Sequence, residues 1–232
     1  MKILLISDVH SNLDALDHIL ETVPFDQALF IGDAVDYGPY PFEVYSRLKQ
    51  IHAVRVLGNH DAAAAFGIDC KSSPTMYEAS VITRARITLP RMPKRALQAL
   101  GKAERRMDLD YGGLRIRILH ASPADELFHY MSKEEASTLD VSGVDLLIVG
   151  HTHIAYEVKN EKVWVVNPGS VGMPKDGDPR ASYAILDTYR REVRFGRAEY
   201  NPEPMLGKLR QLLDEHRSIY EQLAKVYLTG RQ

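Results

Sequence analysis

Residues 143–153 read GVDLLIVGHTH, an apolar run from Leu146 to Val149 that stops at Gly150 and is followed by His151 and His153 with only Thr152 between them. A short apolar run closed by glycine has the length of a buried strand. A histidine pair just past a strand is, in an ordinary loop, a pair of surface polar residues. Whether that holds here depends on what stands at the ends of the other strands.

Upstream, the period of the apolar pattern alternates. KILLIS at 2–7 reads as a buried strand, and NLDALDHILET then spaces Leu13, Leu16, Ile19 and Leu20 as one helix face, with Ser11 or Asn12 as N-cap. ALFIG at 28–32 is a second strand, Pro41 opens a second helix, and AVRVLG at 53–58 is a third strand. Strands alternating with helices of this length imply right-handed crossovers and parallel pairing. From 107 onward the pattern changes. Tyr111-Gly112-Gly113 is a turn, LRIRIL alternates apolar and charged residues as a hairpin strand does, and short strands follow at 145–149, 154–159, 162–167, 181–187 and 192–199. Met205 to Tyr227 carries Leu209, Leu212, Leu213, Ile219, Tyr220 and Leu223 on one stripe and reads as a long amphipathic helix.

The whole chain sets limits on function. Its 232 residues are enough to bury a real core, and 45% apolar with 26% charged residues is an ordinary globular balance. A formal net charge of −2 argues against a protein that coats nucleic acid or a membrane surface by bulk electrostatics, although a specific anionic substrate, nucleic acid included, stays open. Cys70 is the only cysteine, so no intrachain disulfide forms, and a reducing cytoplasm is the expected setting. The opening MKILLISDVH reaches Asp8 within one strand's length, too short for a signal peptide's apolar region or a membrane span.

The strand ends can now be compared. The first ends in Asp8-Val9-His10, the second in Gly32-Asp33, the third in Gly58-Asn59-His60-Asp61, the hairpin strand in His120, and the run quoted above in Gly150-His151-Thr152-His153. In open α/β sheets, binding groups collect outside the carboxyl ends of the strands. Carboxylates, an amide and several imidazoles gathered at one edge repel or waste polar burial unless a cation holds them, and metal ions are the economical explanation.

In this order, D-x-H, G-D, G-N-H-D, a lone His and G-H-x-H, the residues resemble the calcineurin-like metallophosphoesterase superfamily from Asp8 to His153. Asn167-Pro-Gly-Ser-Val-Gly172 and the stretch from Asp176 to Tyr183 look like its small bacterial and archaeal phosphodiesterase branch. The resemblance implies an α/β fold, an αββα sandwich of two mixed sheets flanked by helices. It implies one domain over 1–232, with 62–107 as a helical cap insert and 203–229 as a C-terminal helix. Carried over by position, it gives Asp8, His10 and His153 to one metal, Asn59, His120 and His151 to another, and makes Asp33 the bridge. Imidazole mixed with carboxylate suits transition metals, Mn first, then Fe, Zn, Co or Ni. Such a pair would clamp a phosphate and present a bridging hydroxide for in-line attack on a phosphodiester, or on a monoester or nucleotide. His60 would act as acid or charge stabiliser, and Asp36 would orient it. The protein-phosphatase relatives place an arginine after this Asp; Tyr37 stands here, which counts against a serine/threonine protein phosphatase. His120 lies between Leu119 and Ala121, where relatives often place a glycine beside it.

Other features carry plainer readings. His18, His52, His129 and His216 read as structural or exposed. Asp61 is either a further acidic participant or a carboxylate at a helix N-terminus. Asn167 to Ser170 is a substrate-side loop or a plain turn, and Asp14 and Asp17 are the wet face of the first helix. Between 84 and 106, Arg84, Arg86, Arg91, Lys94, Arg95, Lys102, Arg105 and Arg106 face a single acid, Glu104. They are a solvated helical face or a cap that draws in an anion. The competing functional class is a recruitment module on the same fold that has lost catalysis; a retired site would have lost ligands, and here all are present. The amphipathic tail leaves a homodimer open.

Overall fold

β1, Lys2–Ile6, buries both of its faces: Ile3 and Leu5 join one apolar cluster, Leu4 and Ile6 another. Successive strand side chains point to opposite faces, so a strand without polar alternation sits between two layers. In the computed structural model, which describes residues 1–232, the chain continues through α1 (Leu13–Thr22), β2 (Gln27–Phe30), α2 (Pro41–Gln50), β3 (Val54–Arg55) and α3 (Asn59–Phe66). A helical stretch follows, made of α4 (Tyr77–Thr83), a π-helical turn (Arg84–Thr88), α5 (Leu89–Arg91) and α6 (Lys94–Leu100). Then come β4 (Arg106–Asp110), β5 (Arg115–Leu119), α7 (Lys133–Thr138), β6 (Leu146–Ile148), β7 (Ala155–Lys159), β8 (Trp164–Pro168), β9 (Ala181–Asp187), β10 (Glu192–Ala198), α8 (Glu203–Leu212) and α9 (Arg217–Thr229).

Two five-stranded sheets form, in the orders β10-β9-β1-β2-β3 and β4-β5-β6-β8-β7. β1, β2 and β3 are parallel, with β9 and β10 antiparallel beside them. β5, β6 and β8 are parallel, with β4 and β7 as antiparallel edges. Ile3, Leu5, Leu29 and Ile31 of the first sheet meet Ile116, Ile118, Leu146 and Val166 of the second. On the outer faces, Leu4, Ile6 and Phe30 pack against Leu16, Ile19, Val44 and Leu48 of α1 and α2, and Leu147 and Val165 pack with Ala136 of α7. Each fully buried Leu or Ile contributes about 1.5–3 kcal/mol. The architecture is the αββα sandwich of two mixed sheets. At the local level Asn12, not Ser11, caps α1, its Oδ1 accepting the Ala15 amide at 3.1 Å.

Three expected segments differ in the structure. The tail is two helices rather than one over 203–229, because α8 stops at Leu213 and α9 restarts after His216. In the intervening turn the Asp214 carboxylate accepts the Glu215 amide and the His216 amide donates to the Leu213 carbonyl. An unbroken helix of that length would run about 40 Å in a straight line. Divided, it turns Leu206 and Leu209 and also Leu223 and Val226 into one cluster with Tyr37, Met76 and Ile87. The strand expected over 53–58 pairs only at Val54–Arg55, since the Leu57 amide leaves β2 for the Glu104 carbonyl. The segment 62–107 is largely helical, but 62–66 is the body of α3, and Arg106 and Met107 already belong to β4 of the second sheet. β4 itself carries a period-2 signal, with Met107 and Leu109 half-buried between exposed charges. No helix is long and apolar enough to cross a membrane.

Candidate metal centre

The parallel strands deliver their ends to one place. Asp8 and His10 follow β1, Asp33 follows β2, Asn59 and His60 open α3, His120 follows β5, and His151 and His153 follow β6. Asp8, His10, Asn59 and His120 are fully buried, and Asp33, His151 and His153 are no more than 3% exposed. The donor atoms of Asp8, His10 and His153 lie within 4.8 Å of one another, as do those of Asp33, His120 and His151.

The backbone is bent sharply to achieve this. Asp8, His10, Asp33, His151 and His153 all have left-handed φ values, between 46° and 66°. For residues other than glycine that conformation costs on the order of 1–3 kcal/mol each and persists only where the surroundings over-determine it. They are over-determined here: the Asp8 amide donates to the Gly32 carbonyl at 3.0 Å, His10 to Asp33 at 3.1 Å, and Gly150 to His120 at 2.8 Å. The glycines of the motifs provide the clearance. A Cβ on Gly58 would collide with Asp33 Oδ1, and one on Gly150 would collide with Ser7 Oγ and come within 2.9 Å of Asp8 Oδ2.

The polar atoms left over are all acceptors. His10 Nδ1 stands 3.0 Å from the Val35 carbonyl and His153 Nδ1 2.6 Å from the Met173 carbonyl. A carbonyl only accepts, so both protons sit on Nδ1 and both Nε2 atoms present lone pairs, yet those Nε2 atoms are 3.1 Å apart. Asp8 Oδ1, buried and without a hydrogen-bond partner, lies 3.3 Å from His153 Nε2. The second group repeats the pattern. His120 Nδ1 donates to the Ile31 carbonyl at 2.7 Å and Asn59 Nδ2 to the Cys70 carbonyl at 2.7 Å, which turns His120 Nε2 and Asn59 Oδ1 toward each other at 2.9 Å. His151 Nε2 lies 3.3 Å from the Phe128 carbonyl, which leaves its Nδ1 as the free donor. Lone pairs facing lone pairs in a dry site are a cradle for cations. The titration behaviour agrees: burial, then the neighbouring His153, pushes His10 down, burial and His120 push His151 down, and burial and Lys175 push His153 down. Neutral imidazole is the ligand form. Burial also opposes a charge on His120, but the Asp33 carboxylate outweighs it and raises that ring to about 9.

Beside the donors, His60 Nδ1 donates to Asp36 Oδ2 at 2.9 Å. Asp36 is itself clamped by Arg84 Nε and Nη2 at 3.0 and 2.6 Å and by Thr88 Oγ1 at 2.8 Å. Arg84 and Thr88 open and close the π-helical turn, whose wider winding lets both side chains reach one carboxylate. Burial works against a charge on His60, but the Asp33 and Asp36 carboxylates outweigh it and raise its pKa. Tyr37 packs its neutral ring 4.9 Å from those of His10 and His60.

Several roles were not legible in the chain. Asp61 accepts the Asp33, Ala34 and Gly58 amides, so it holds the Asp33 turn rather than serving as a further participant. Burial, with the Asp33 charge nearby, pushes it up to about 7 against the pull of those donors. Asn167 donates to the Gly150 carbonyl at 2.8 Å and Ser170 Oγ to the Asp8 carbonyl at 2.7 Å, so this loop fastens the ligand-bearing turns together. Of the basic stretch only Arg84 reaches the centre; Arg86, Arg91, Lys94, Arg95, Lys102, Arg105 and Arg106 are exposed. His18, His52, His129 and His216 stay outside the two donor groups.

The family profile described as the calcineurin-like phosphoesterase superfamily domain matches residues 1–191. The chain belongs to that superfamily. Among its phosphoesterase relatives, MJ0912 of Methanocaldococcus jannaschii is 28% identical over 226 residues, covering 89% of this chain and 91% of that one. The phosphodiesterase YfcE of Escherichia coli is 26% identical over 200 residues, 81% of this chain and 88% of YfcE. A metallophosphoesterase structure from Sphaerobacter thermophilus superposes with a TM-score of 0.76 at 30% identity, covering 97% of this chain and 99% of that one. PH1004 from Pyrococcus horikoshii superposes at 0.81 over 100% of this chain and 99% of its own at 17% identity, a likeness of fold. Divalent metal ions are the family's cofactor, and the two donor groups could hold them.

Proposed function

We propose that the chain hydrolyses a phosphodiester at a two-metal centre, with Mn as the favoured ion. The observation that carries this is the set of inward-facing lone pairs on His10, His153, His120 and Asn59 around Asp8 and Asp33. Asp8, His10 and His153 would hold one ion, Asn59, His120 and His151 the other, with Asp33 between them. When bound, two such ions supply Lewis-acid charge to the phosphoryl oxygens and activate a water for in-line attack at phosphorus.

The chain's own groups do the rest. His60 delivers the proton to the leaving oxygen from Nε2, because Nδ1 is committed to Asp36. Arg84 and Thr88 keep Asp36 ionised and immobile, so the ring cannot rotate away. The near-complete burial of the centre excludes bulk water. The diester preference is supported by the similarity to the phosphodiesterase YfcE.

Hydrolysis of an aryl phosphodiester and of its monoester, by chelator-stripped protein with and without Mn²⁺, tests the reading. Metal-restored turnover of the diester is expected. Preference for the monoester would move the activity to phosphatase chemistry, and no turnover with metal bound would overturn it.

A further inference from the structure

The segment from Ser170 to Lys175 wraps Asp8 and His153. Ser170 Oγ and the Gly172 amide donate to the Asp8 carbonyl at 2.7 and 3.1 Å, the Met173 carbonyl accepts from His153 Nδ1 at 2.6 Å, and the Lys175 amide donates to the His153 carbonyl at 3.2 Å. Lys175 is thus tied to the Asp8–His10–His153 group through backbone contacts that do not involve its own side chain. The side chain is half-buried, and the opposite charges acting on its ammonium are those of Asp8 and Asp33. No carboxylate forms an ion pair with it, and burial pulls its pKa down to about 8, the mark of an ammonium held out of water without a partner.

The other cations near the centre are engaged. Arg84 is spent on Asp36, and the Lys71 ammonium lies 4.5 Å from the Phe128 ring centroid. Tyr37, between His10 and His60, carries no charge. A cation kept beside two carboxylates, yet paired with neither, is placed to meet an incoming anion.

We propose that Lys175 binds a non-bridging oxygen of the substrate's phosphoryl group on the Asp8 side of the centre, and so sets the affinity for phosphoryl anions. This rests on the phosphoesterase reading above. Attraction scales with the charge of the anion, so a dianionic monoester or inorganic phosphate depends on Lys175 more than a monoanionic diester does.

The experiment compares Mn-loaded wild type with K175Q and K175R in three readouts: metal content, the Kd of inorganic phosphate by calorimetry, and KM and kcat on the aryl diester and monoester. A charge-assisted hydrogen bond predicts that K175Q keeps its metal and binds phosphate about tenfold more weakly or worse. KM should rise more for the monoester than for the diester, kcat should change little, and K175R should recover part of the affinity. An unchanged phosphate Kd in K175Q overturns the proposal. So does a wild type that binds no phosphate, or a K175Q that has lost its metal, which would make Lys175 a support for the donors. Absence of turnover in wild type defeats the phosphoesterase reading instead, while the phosphate Kd still decides the role of Lys175.

Discussion

His10 Nε2 and His153 Nε2 stand 3.1 Å apart with both lone pairs turned inward, because the Val35 and Met173 carbonyls hold the two Nδ1 protons. Two acceptors at that distance repel, and the nearby Asp8 Oδ1 adds to the repulsion.

Metal removal should therefore lower stability as well as activity. An ion that binds only the folded chain adds about 2.7 kcal/mol when present at a hundred times its Kd. Thermal melts of chelated protein should shift upward in a saturable way as Mn²⁺ is added; a midpoint indifferent to metal contradicts the cradle.

Asp33 and His60 should separate metal binding from chemistry. Asp33→Asn, at the junction of both donor groups, is expected to lose metal and activity together. His60→Ala should retain metal while kcat falls by roughly 10²- to 10⁴-fold. Metal analysis of the two variants decides the matter, and loss of metal in His60→Ala would falsify the role assigned to that ring.

Arg84→Met should leave the fully buried Asp36 carboxylate without its guanidinium partner. Removing one member of a buried pair destabilises by about 3–5 kcal/mol. Arg84→Met combined with Asp36→Asn should regain part of that loss, in a denaturant titration of the four members of the cycle. Strict additivity of the two changes would show that the pair is not coupled.

Gly150→Ala should weaken metal binding without touching a donor. The added methyl meets Ser7 Oγ and Asp8 Oδ2, so either Asp8 or β6 must shift, with a destabilisation of about 1–3 kcal/mol. Metal affinity measured alongside the melt should fall, and wild-type affinity in this variant would mean that the close approach is relaxed elsewhere.

Acid sensitivity should come in part from Asp145. Its carboxylate accepts the Arg115 side chain at 2.8 Å and the Arg115 amide at 2.9 Å, which joins the start of β6 to β5. The Arg115 hydrogen bonds lower its pKa from 3.8 to about 2. A folded-state pKa below the unfolded one gives stability that is present above about 3.8 and is lost as pH falls toward 2. Asp145→Asn should flatten the stability curve in that window alone; an identical acid limb in the variant would remove Asp145 from the account.

The strand ends could be read in advance because their signal is local. An apolar run closed by glycine and a ligand-type residue places Asp8, Asp33, Asn59, His120, His151 and His153 on the sheet edge, whatever the rest of the chain does. Supports such as Arg84, Thr88, Asn167 and Ser170 act from more than ten residues away in the chain, and nothing in their own neighbourhoods announces the partner. The tail was misread for a related reason: its stripe continues across Asp214-Glu215-His216, and only packing against Tyr37 and Met76 requires the turn there.

By itself, the sequence determined which elements form and which side chains arrive at the edge, since apolar period and motif order are properties of neighbours along the chain. The tertiary structure decided the direction of each lone pair. The proton on His10 is assigned by the Val35 carbonyl and that on His153 by the Met173 carbonyl, groups brought there by two sheets folding face to face. Tautomer and orientation depend on which acceptor stands opposite the other ring nitrogen, and that is known only once the distant segments meet.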